Sequence, residues 1–184
     1  MHIIGGKYKK KTLISPDSEE VRPTSGKLRE TIFNICQGSI LDAEFLDLFA
    51  GSGAVGLEAL SRGAKHATFV EKSRHAAKVI KANIDALKEH THTTLIAEDA
   101  FQALRGFADE GRKFDIIFAD PPYRMGFGIK VLEAVDCLAI LKPGGELFIE
   151  DEESPPNLEF SLNHLELKSS RKVGRTLLQQ FIAK

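Results

Sequence analysis

The sequence is poor in cysteine, has almost no net charge and lacks long apolar runs, and each absence excludes a class of protein. Cys36 and Cys137 are the only cysteines among 184 residues, so a disulfide framework is excluded and two reduced core thiols are expected. The formal charge of −1 excludes a protein that coats nucleic acid through bulk charge. No apolar run approaches the roughly 20 residues that span a bilayer, and the N-terminus lacks a secretory signal. We therefore expect a cytoplasmic protein, and its scattered histidines predict no metal site.

Short apolar runs alternate with segments of helical period from residue 44 onward. This alternation predicts a doubly wound α/β fold whose seven-stranded sheet is mostly parallel. The last two runs, 162–168 and 176–183, are joined by a short basic turn around Gly174, so the last strand should be antiparallel. The helix predicted over 128–141 should be stopped by Pro143-Gly144-Gly145.

The first 24 residues differ from the rest because they are basic and interrupted by Pro16 and Pro23. We expect them to form an N-terminal extension, 1–24, that packs onto a single domain spanning 25–184. Ser25 is the predicted cap of the first helix, whose residues Leu28 and Ile32 share one apolar face.

A glycine-rich motif connects the first predicted strand to the helix that follows. It reads Asp47-Leu48-Phe49-Ala50-Gly51-Ser52-Gly53-Ala54-Val55-Gly56. Glu71 follows about 20 residues later, at the end of the second predicted strand. Glycines let a backbone approach a ligand closely, and a carboxylate at that second position can bind ribose hydroxyls. The motif therefore predicts a site for a cofactor that contains a nucleoside.

The charges around this motif favour S-adenosylmethionine over a dinucleotide. Asp47 lies just before the glycines, where it would repel a diphosphate but could hold a cationic amino group. Asp99, after the third predicted strand, is placed to accept a hydrogen bond from an adenine amine. Three carboxylates at one edge of the sheet, with Glu71 as the third, suit a ligand that carries a sulfonium and an ammonium group.

The tetrapeptide Asp120-Pro121-Pro122-Tyr123 follows the fourth predicted strand and favours an exocyclic amine as the methyl acceptor. The prolines lack N–H groups and fix φ, so the turn is rigid and offers only acceptors. Asp120 and the Pro121 carbonyl could accept the two N–H groups of such an amine while its ring stacks on Tyr123. These contacts would orient the nitrogen for attack, and the carboxylate would stabilise the cation that develops on it.

With these motifs, the sequence resembles the bacterial RsmD family of 16S ribosomal RNA guanine-N2 methyltransferases. The resemblance also rests on Ile3-Ile4-Gly5-Gly6-Lys7-Tyr8-Lys9, Arg22-Pro23-Thr24 and Leu28-Arg29-Glu30-Thr31-Ile32-Phe33-Asn34. It implies a class I methyltransferase fold, S-adenosylmethionine as donor, S-adenosylhomocysteine as product, and N2 of one small-subunit guanine as acceptor. The sequence departs from the family at His2, where Arg is common. It departs again at Val173-Gly174-Arg175-Thr176, where an aromatic residue, Gly, an acid and Thr are expected.

The resemblance also implies roles for individual residues. The methionine end of the cofactor would be lined by Asp47, Ala50, Gly51 and Gly53, the ribose would be bound by Glu71 and the adenine by Asp99. The cofactor site would be completed by Phe49, Ser52, Lys72, Ala100 and Asp120. The target base would be held by Asp120, Pro121, Pro122 and Tyr123, close to Arg22 and Thr24 at the entrance.

Basic residues at both chain ends fit an RNA partner, either 16S rRNA or the assembled small subunit. The predicted contacts are Lys7, Lys9, Lys10, Lys11, Arg22, Thr24, Arg171, Lys172 and Arg175. Phosphate contacts supply sequence-independent affinity, and the base to be modified has to be unstacked. The acidic run Glu150-Asp151-Glu152-Glu153 is expected to be a solvated loop, although Glu150 also ends the fifth predicted strand and could touch the site. Nothing in the sequence demands more than a monomer.

Two alternative functions remain open from the sequence. The same amine chemistry could act on DNA adenine or protein glutamine, whose methyltransferases share the Asp-Pro-Pro-Tyr motif. A DNA enzyme usually needs an added target-recognition region, for which 184 residues leave little room. From a different class, a NAD-type nucleotide-binding module would account for the glycine motif alone.

Overall fold

The computed structural model describes residues 1–16, 24–122, 126–151 and 161–184. The helices in these ranges are α1 (Gly26–Ile35), α2 (Ala54–Ser61), α3 (Arg74–Leu87), α4 (Ala100–Asp109) and α5 (Phe127–Leu138). The strands are β1 (Glu44–Leu48), β2 (His66–Val70), β3 (Thr93–Ile96), β4 (Phe114–Ala119), β5 (Leu141–Asp151), β6 (Leu165–Val173) and β7 (Thr176–Ala183).

The strands form one sheet in the order β3-β2-β1-β4-β5-β7-β6. Neighbours from β3 to β5 are parallel, whereas β7 is antiparallel to both β5 and β6. The predicted sheet of seven mostly parallel strands with an antiparallel last strand is thus confirmed. The strand order reverses between β1 and β4, and open α/β sheets bind ligands at the carboxyl ends of the strands at such a point.

Helices cover both faces of the sheet. On one side, the α1–α3 face, helices α1, α2 and α3 pack against Phe45, Phe69 and Phe118 together with the N-terminal residues Ile3 and Leu13. On the other side, the α4–α5 face, helices α4 and α5 pack against a second core cluster. Because side chains alternate along a strand, the face of each strand residue follows from its position.

Two helix starts agree with the sequence. The Ser25 Oγ accepts a hydrogen bond from the Leu28 N–H at 3.1 Å at the start of α1. The Ser73 Oγ accepts one from the Ala76 N–H at 3.3 Å at the start of α3. Each cap satisfies a backbone donor that has no partner within its helix.

The boundaries around β5 and β6 differ from those predicted. Helix α5 ends at Leu138, and β5 already begins at Leu141, so Pro143-Gly144-Gly145 lies inside a strand. The pairing of β4 with β5 shifts register between Phe114 and Ile116, and such an irregularity accommodates a proline. Strand β6 runs over Leu165–Val173 instead of 162–168. The sequence did not indicate its true bounds because the strand is rich in polar residues. It lies at the edge of the sheet, and edge strands commonly carry charged side chains.

Two expectations about burial are wrong. Cys36 is buried as expected, but Cys137 is exposed on α5, whose buried side is formed by Val131, Leu132 and Val135. Glu150 is only 4% exposed at the end of β5 instead of lying in a solvated loop. Strand pairing extends through Asp151, which draws the start of the acidic run into the sheet. Glu152 and Glu153 lie outside the described residues.

Candidate active site

The glycine-rich loop, residues 49–53, turns between β1 and α2 at the carboxyl edge of the sheet. Gly51 and Gly53 have φ angles of 55° and 76°, in the left-handed region that glycine enters without steric cost. A Cβ on Gly56 would lie 2.3 Å from the Phe69 ring, so this glycine lets α2 pack closely on the sheet. The Ala50 N–H donates to the Val70 carbonyl at 2.9 Å and fixes the loop between β1 and β2.

Asp47 lies beneath this loop. It is 1% exposed, and its Oδ2 accepts a hydrogen bond from the Gly56 N–H at 2.9 Å, which joins β1 to α2. Burial raises the pKa of Asp47 to about 7; the Gly56 hydrogen bond opposes this rise and the charge of Glu71 adds to it. A cation held at this edge would lower the pKa again and favour the carboxylate.

Glu71 and Asp99 follow the two neighbouring strands at the same edge. The Glu71 carboxylate accepts hydrogen bonds from the Gly51 N–H at 2.8 Å and the Ser73 N–H at 2.7 Å. Asp99 caps α4 by accepting from the Phe101 N–H at 3.0 Å. Lys72 is exposed, whereas Ala100 is buried at the start of α4. The structure therefore brings Glu71 into direct contact with the glycine-rich loop and holds Asp99 at the neighbouring helix terminus.

The acceptor turn begins with Asp120, directly after β4. Its Oδ2 accepts a hydrogen bond from the Thr24 Oγ1 at 3.2 Å, so the segment before α1 reaches the end of β4. Pro121 is buried and Pro122 is exposed. Tyr123 and Arg22, which the sequence also singled out, lie outside the described residues.

Three carboxyl groups project from the sheet edge toward the α1–α3 face. Asp47 pairs with Phe118, and Phe118 pairs with Phe148. Asp120 and Glu150 come two residues after these phenylalanines, so their side chains return to the same face as Asp47. In their ionised form these carboxyl groups would repel a diphosphate and attract a cation, and a bound cation would itself favour that form, so they are a suitable setting for a sulfonium or ammonium group.

The N-terminal residues are anchored to α2 by Glu58, a contact that sequence reasoning missed. Glu58 is 0% exposed and accepts hydrogen bonds from the Ile4 and Gly5 N–H groups at 2.8 Å each. It also accepts from Arg62 Nε at 2.8 Å and Arg29 Nη1 at 3.4 Å. The available signal was a single acid within the otherwise small and apolar helix Ala54–Ser61.

Asn83 connects the same N-terminal segment to the glycine-rich loop. This buried α3 residue accepts from the Ile14 N–H at 2.8 Å and donates to the Ile14 carbonyl at 3.0 Å. Its amide also donates to the Ser52 carbonyl at 3.0 Å. One side chain thus fixes the loop backbone and the extension together, a role that no local sequence pattern indicates.

Asn83→Asp is expected to loosen the glycine-rich loop. The substitution keeps the shape of the side chain and the acceptor for the Ile14 N–H. It also places a carboxylate oxygen opposite the Ile14 and Ser52 carbonyls, to which the wild-type amide donates. An unsatisfied buried polar group costs about 1–3 kcal/mol, so we expect the affinity for S-adenosylhomocysteine, measured by calorimetry, to fall roughly tenfold. Asn34→Asp, the same change on the exposed side of α1, is the control. Wild-type affinity in Asn83→Asp would refute the bracing role.

The basic residues predicted to contact RNA separate into two groups. Gly174 and Arg175 form the β6–β7 turn, which lies at the carboxyl edge because Leu177 pairs with Asp151. Arg171, Lys172 and Arg175 are exposed there. The N-terminal group lies elsewhere: Lys7 pairs with Glu89, after the C-terminal end of α3, at 2.6 Å. Helix α3 starts at the carboxyl edge, so its other end and these lysines lie toward the opposite edge. Lys9, Lys10 and Lys11 are exposed.

The described residues, 1–16, 24–122, 126–151 and 161–184, contain neither a candidate metal site nor a candidate membrane span. Within these ranges, no group of three or more His, Cys, Asp or Glu side chains is arranged to hold a metal ion. No helix of the described parts of the chain is long and apolar enough to cross a membrane.

The chain is similar to known methyltransferases over most of its length. A family model described as "Conserved hypothetical protein 95" matches residues 1–182. "Ribosomal RNA small subunit methyltransferase D" of Escherichia coli K12 is 37% identical over 152 residues, which cover 83% of this chain and 75% of the relative. The protein of that name from Haemophilus influenzae is 33% identical over 157 residues, which cover 85% of this chain and 81% of the relative.

Solved structures show the same architecture. A methyltransferase from Escherichia coli superposes with a TM-score of 0.86 at 31% identity, covering 100% of this chain and 98% of that one. Its similarity extends beyond the sheet to the N-terminal residues, since the whole chain is covered.

Proposed function

The chain belongs to the RsmD family, and we propose that it transfers a methyl group from S-adenosylmethionine to the exocyclic N2 amine of a guanine in small-subunit ribosomal RNA. The observation that carries this proposal is the placement of Asp120. Its carboxyl group stands beside the β1 loop where the strand order reverses, in contact with Thr24. The Asp120 carboxylate and a proline turn without N–H donors therefore lie next to the loop that would bind a cofactor containing a nucleoside.

S-adenosylmethionine supplies, when bound, a methyl group activated by the positive charge of a sulfonium. The residues that would hold it are Asp47, Phe49, Ala50, Gly51, Ser52, Gly53, Glu71, Lys72, Asp99, Ala100 and Asp120. Support comes from the loop backbone, which has no Cβ at Gly51 and Gly53, and from the carboxyl groups on the α1–α3 face. Glu71 would exchange its hydrogen bond from Gly51 for the ribose hydroxyls.

The acceptor turn would hold the target base. Asp120 and the Pro121 carbonyl would accept the two N–H groups of guanine N2, and Tyr123 would stack on the ring. Conjugation with the ring makes this nitrogen a weak nucleophile, so its orientation toward the methyl group lowers the entropic part of the barrier. The Asp120 carboxylate would stabilise the positive charge that develops on nitrogen and take up its proton.

We further propose that residues 1–24 act as an extension of one domain, 25–184, in a monomeric cytoplasmic enzyme. The docking of Ile4 and Gly5 on Glu58 supports an extension that stays attached to the domain. The partner would be 16S rRNA or the assembled small subunit, bound through Arg22, Thr24 and the two basic groups. The proposed chemistry requires no metal ion.

Methyl transfer with a labelled donor tests the proposed function. Deproteinised 16S rRNA, small subunits, adenine-containing duplex DNA and a glutamine peptide are each incubated with the enzyme, and the modified position is mapped. Label on guanine N2 of 16S rRNA is expected. Label confined to DNA or peptide would overturn the substrate assignment. Binding of NAD without any response to S-adenosylhomocysteine would overturn the methyltransferase assignment.

Neutralising the β6–β7 turn is expected to flatten the salt dependence of RNA binding. Each phosphate contact on single-stranded RNA contributes about 0.7 to the slope of log K against log salt. The triple change of Arg171, Lys172 and Arg175 to Gln should therefore lower the slope by roughly 2. Changing Lys9, Lys10 and Lys11 to Gln tests the N-terminal group in the same titration, and a smaller slope is expected there as well.

Three exposed lysines provide the matched control: Lys78 and Lys81 on α3, and Lys113 directly before β4. Their change to Gln removes the same charge from a surface with no predicted RNA contact, so the slope should stay at the wild-type value. If the slope decreased equally in all three variants, the effect would come from net charge, and the predicted local phosphate contacts would be contradicted.

A further inference from the structure

Thr24 directly precedes the residue that caps α1, so the helix fixes the position of its backbone. The cap, Ser25, accepts a hydrogen bond from the Leu28 N–H on its Oγ at 3.1 Å and one from the Arg29 N–H on its carbonyl at 3.0 Å. Leu28 and Arg29 are themselves buried. The backbone that carries Thr24 is therefore attached to a helix that is held in the core.

The Thr24 hydroxyl makes a hydrogen bond to the acceptor turn. Its Oγ1 donates to Asp120 Oδ2 at 3.2 Å, between residues 96 positions apart in the chain. Thr24 is half-buried, and the branching at its β-carbon restricts χ1, so the donor is held in place by local geometry. The sequence assigned Thr24 to RNA, whereas the structure gives its hydroxyl an acceptor within the protein.

We propose that Thr24 is a positioning residue for the methyl transfer, because its hydroxyl holds the Asp120 carboxylate in the orientation that receives the substrate amine. This inference rests on the proposed function, since it assigns a partner to Asp120 in that reaction. A carboxylate offers about four lone-pair sites on its two oxygens, so the contact with Thr24 leaves acceptor capacity for the amine. The N2 lone pair forms the new N–C bond while the electrons of the broken S–C bond stay on sulfur. The surplus N2 proton passes to Asp120 and then to solvent, and the Thr24 hydroxyl keeps its own proton.

The hydroxyl also acts on the charge of Asp120. Burial, followed by the charge of Glu150 on β5, raises the pKa of Asp120 well above its ordinary range, and the charge of Asp47 on β1 adds to the rise. The hydrogen bond from Thr24, in the segment before α1, opposes the rise because a donor stabilises the ionised carboxylate. Thr24 therefore favours the form of Asp120 that can accept an N–H group of the amine and then its proton.

Thr24→Val removes the hydroxyl and keeps the shape of the side chain. We expect kcat with rRNA to fall roughly 10–100-fold, because a misplaced group near the reaction can cost about 10²-fold. The KM for rRNA should stay within about twofold of wild type, since the lost contact orients Asp120 and does not bind the RNA. Thr24→Ser, which keeps the donor, should restore kcat to within about threefold of wild type. The affinity for S-adenosylhomocysteine should be unchanged in both variants.

The titration of Asp120 in the free protein tests the contact without any substrate. Carbon-13 NMR of the side-chain carboxyl groups measures it. The pKa of Asp120 should be higher in Thr24→Val than in wild type, because valine cannot stabilise the carboxylate, and Thr24→Ser should resemble wild type. The acidic limb of the pH profile of kcat should move to higher pH in Thr24→Val for the same reason.

Thr31→Val is the matched control, because Thr31 lies on the same helix and its Oγ1 donates to the Lys27 carbonyl at 2.8 Å, a contact within α1. Neither kcat nor the titration of Asp120 should change in this variant. Wild-type kcat in Thr24→Val would overturn the inference, as would an unchanged Asp120 titration, and a raised KM at wild-type kcat would assign Thr24 to RNA binding instead. A wild-type enzyme that leaves rRNA unmethylated would overturn the proposed function, and the titration would still decide whether Thr24 acts on Asp120.

Discussion

Asp120→Ala is expected to remove nearly all methyl transfer to rRNA, while the affinity for S-adenosylhomocysteine, which lacks the sulfonium charge that Asp120 would face, stays close to wild type. The substitution deletes the acceptor for the substrate amine and the negative charge next to the nitrogen that becomes cationic. Single groups placed against developing charge are typically worth ~10²–10³ in kcat, and the loss of orientation adds to this. Single-turnover rates with labelled donor and calorimetry of product binding measure the two effects separately.

Asp109→Ala is the control for Asp120→Ala, because Asp109 is an exposed acid at the end of α4 and its removal changes the net charge equally. Asp120→Asn refines the result. It preserves the shape of the side chain but not its charge. A large loss of methyl transfer in this variant would therefore show that the charge of residue 120 is required and not only its packing. Normal turnover in Asp120→Ala would refute the assigned role.

Glu58→Ala is expected to destabilise the protein more than any surface substitution. Glu58 is fully buried between α2 and the N-terminal segment, and its removal leaves the Arg29 guanidinium, 3% exposed, without its carboxylate. Breaking a buried ion pair by removing one partner costs about 3–5 kcal/mol. For a chain of this length the melting temperature should fall by roughly 6–20 °C, as measured by calorimetry. Hydrogen exchange at the Ile4 and Gly5 amides, which now donate to Glu58, should accelerate.

Glu30→Ala serves as the comparison for Glu58→Ala. Glu30 is an exposed glutamate on α1, and substitutions at such positions usually change the free energy of unfolding by less than about 0.5 kcal/mol. If Glu58→Ala and Glu30→Ala had the same melting temperature, the inference that Glu58 anchors the N-terminal segment would be wrong.

The sheet and the position of the loops could be predicted because their signals are local. Apart from Asp115, the run Phe114–Ala119 is apolar, as a strand covered on both faces requires, and the glycines at 51 and 53 stand where φ is positive. The same patterns placed Asp47, Glu71, Asp99 and Asp120 at strand ends, and parallel strands bring their carboxyl ends to one edge. The boundaries of β5 and β6 were less predictable, because a register shift and a polar edge strand weaken the periodic signal.

The contacts between distant parts of the chain could not be predicted. Thr24 and Asp120 are 96 positions apart, and nothing in either motif indicates that they touch. Glu150 gave the misleading signal of a solvated acidic run, since the sequence does not show how far the pairing with β7 extends. The lysines before residue 12 were predicted only to contact RNA, and the ion pair of Lys7 with Glu89 shows that this end of the extension lies against the far end of α3.

The chemistry available to this protein could be inferred from its residues alone: a glycine-rich turn after an apolar strand, acids at the strand ends, and a proline turn that offers only acceptors. These features depend on the backbone preferences and functional groups of neighbouring residues, which a sequence displays directly. The folded chain was needed to show which acids share a face, that Glu150 lies beside Asp120, and that Asn83 and Glu58 attach the extension to the glycine-rich loop and to α2. Those relations depend on strand order, register and helix packing, which arise from the simultaneous burial of many residues that are distant in the chain.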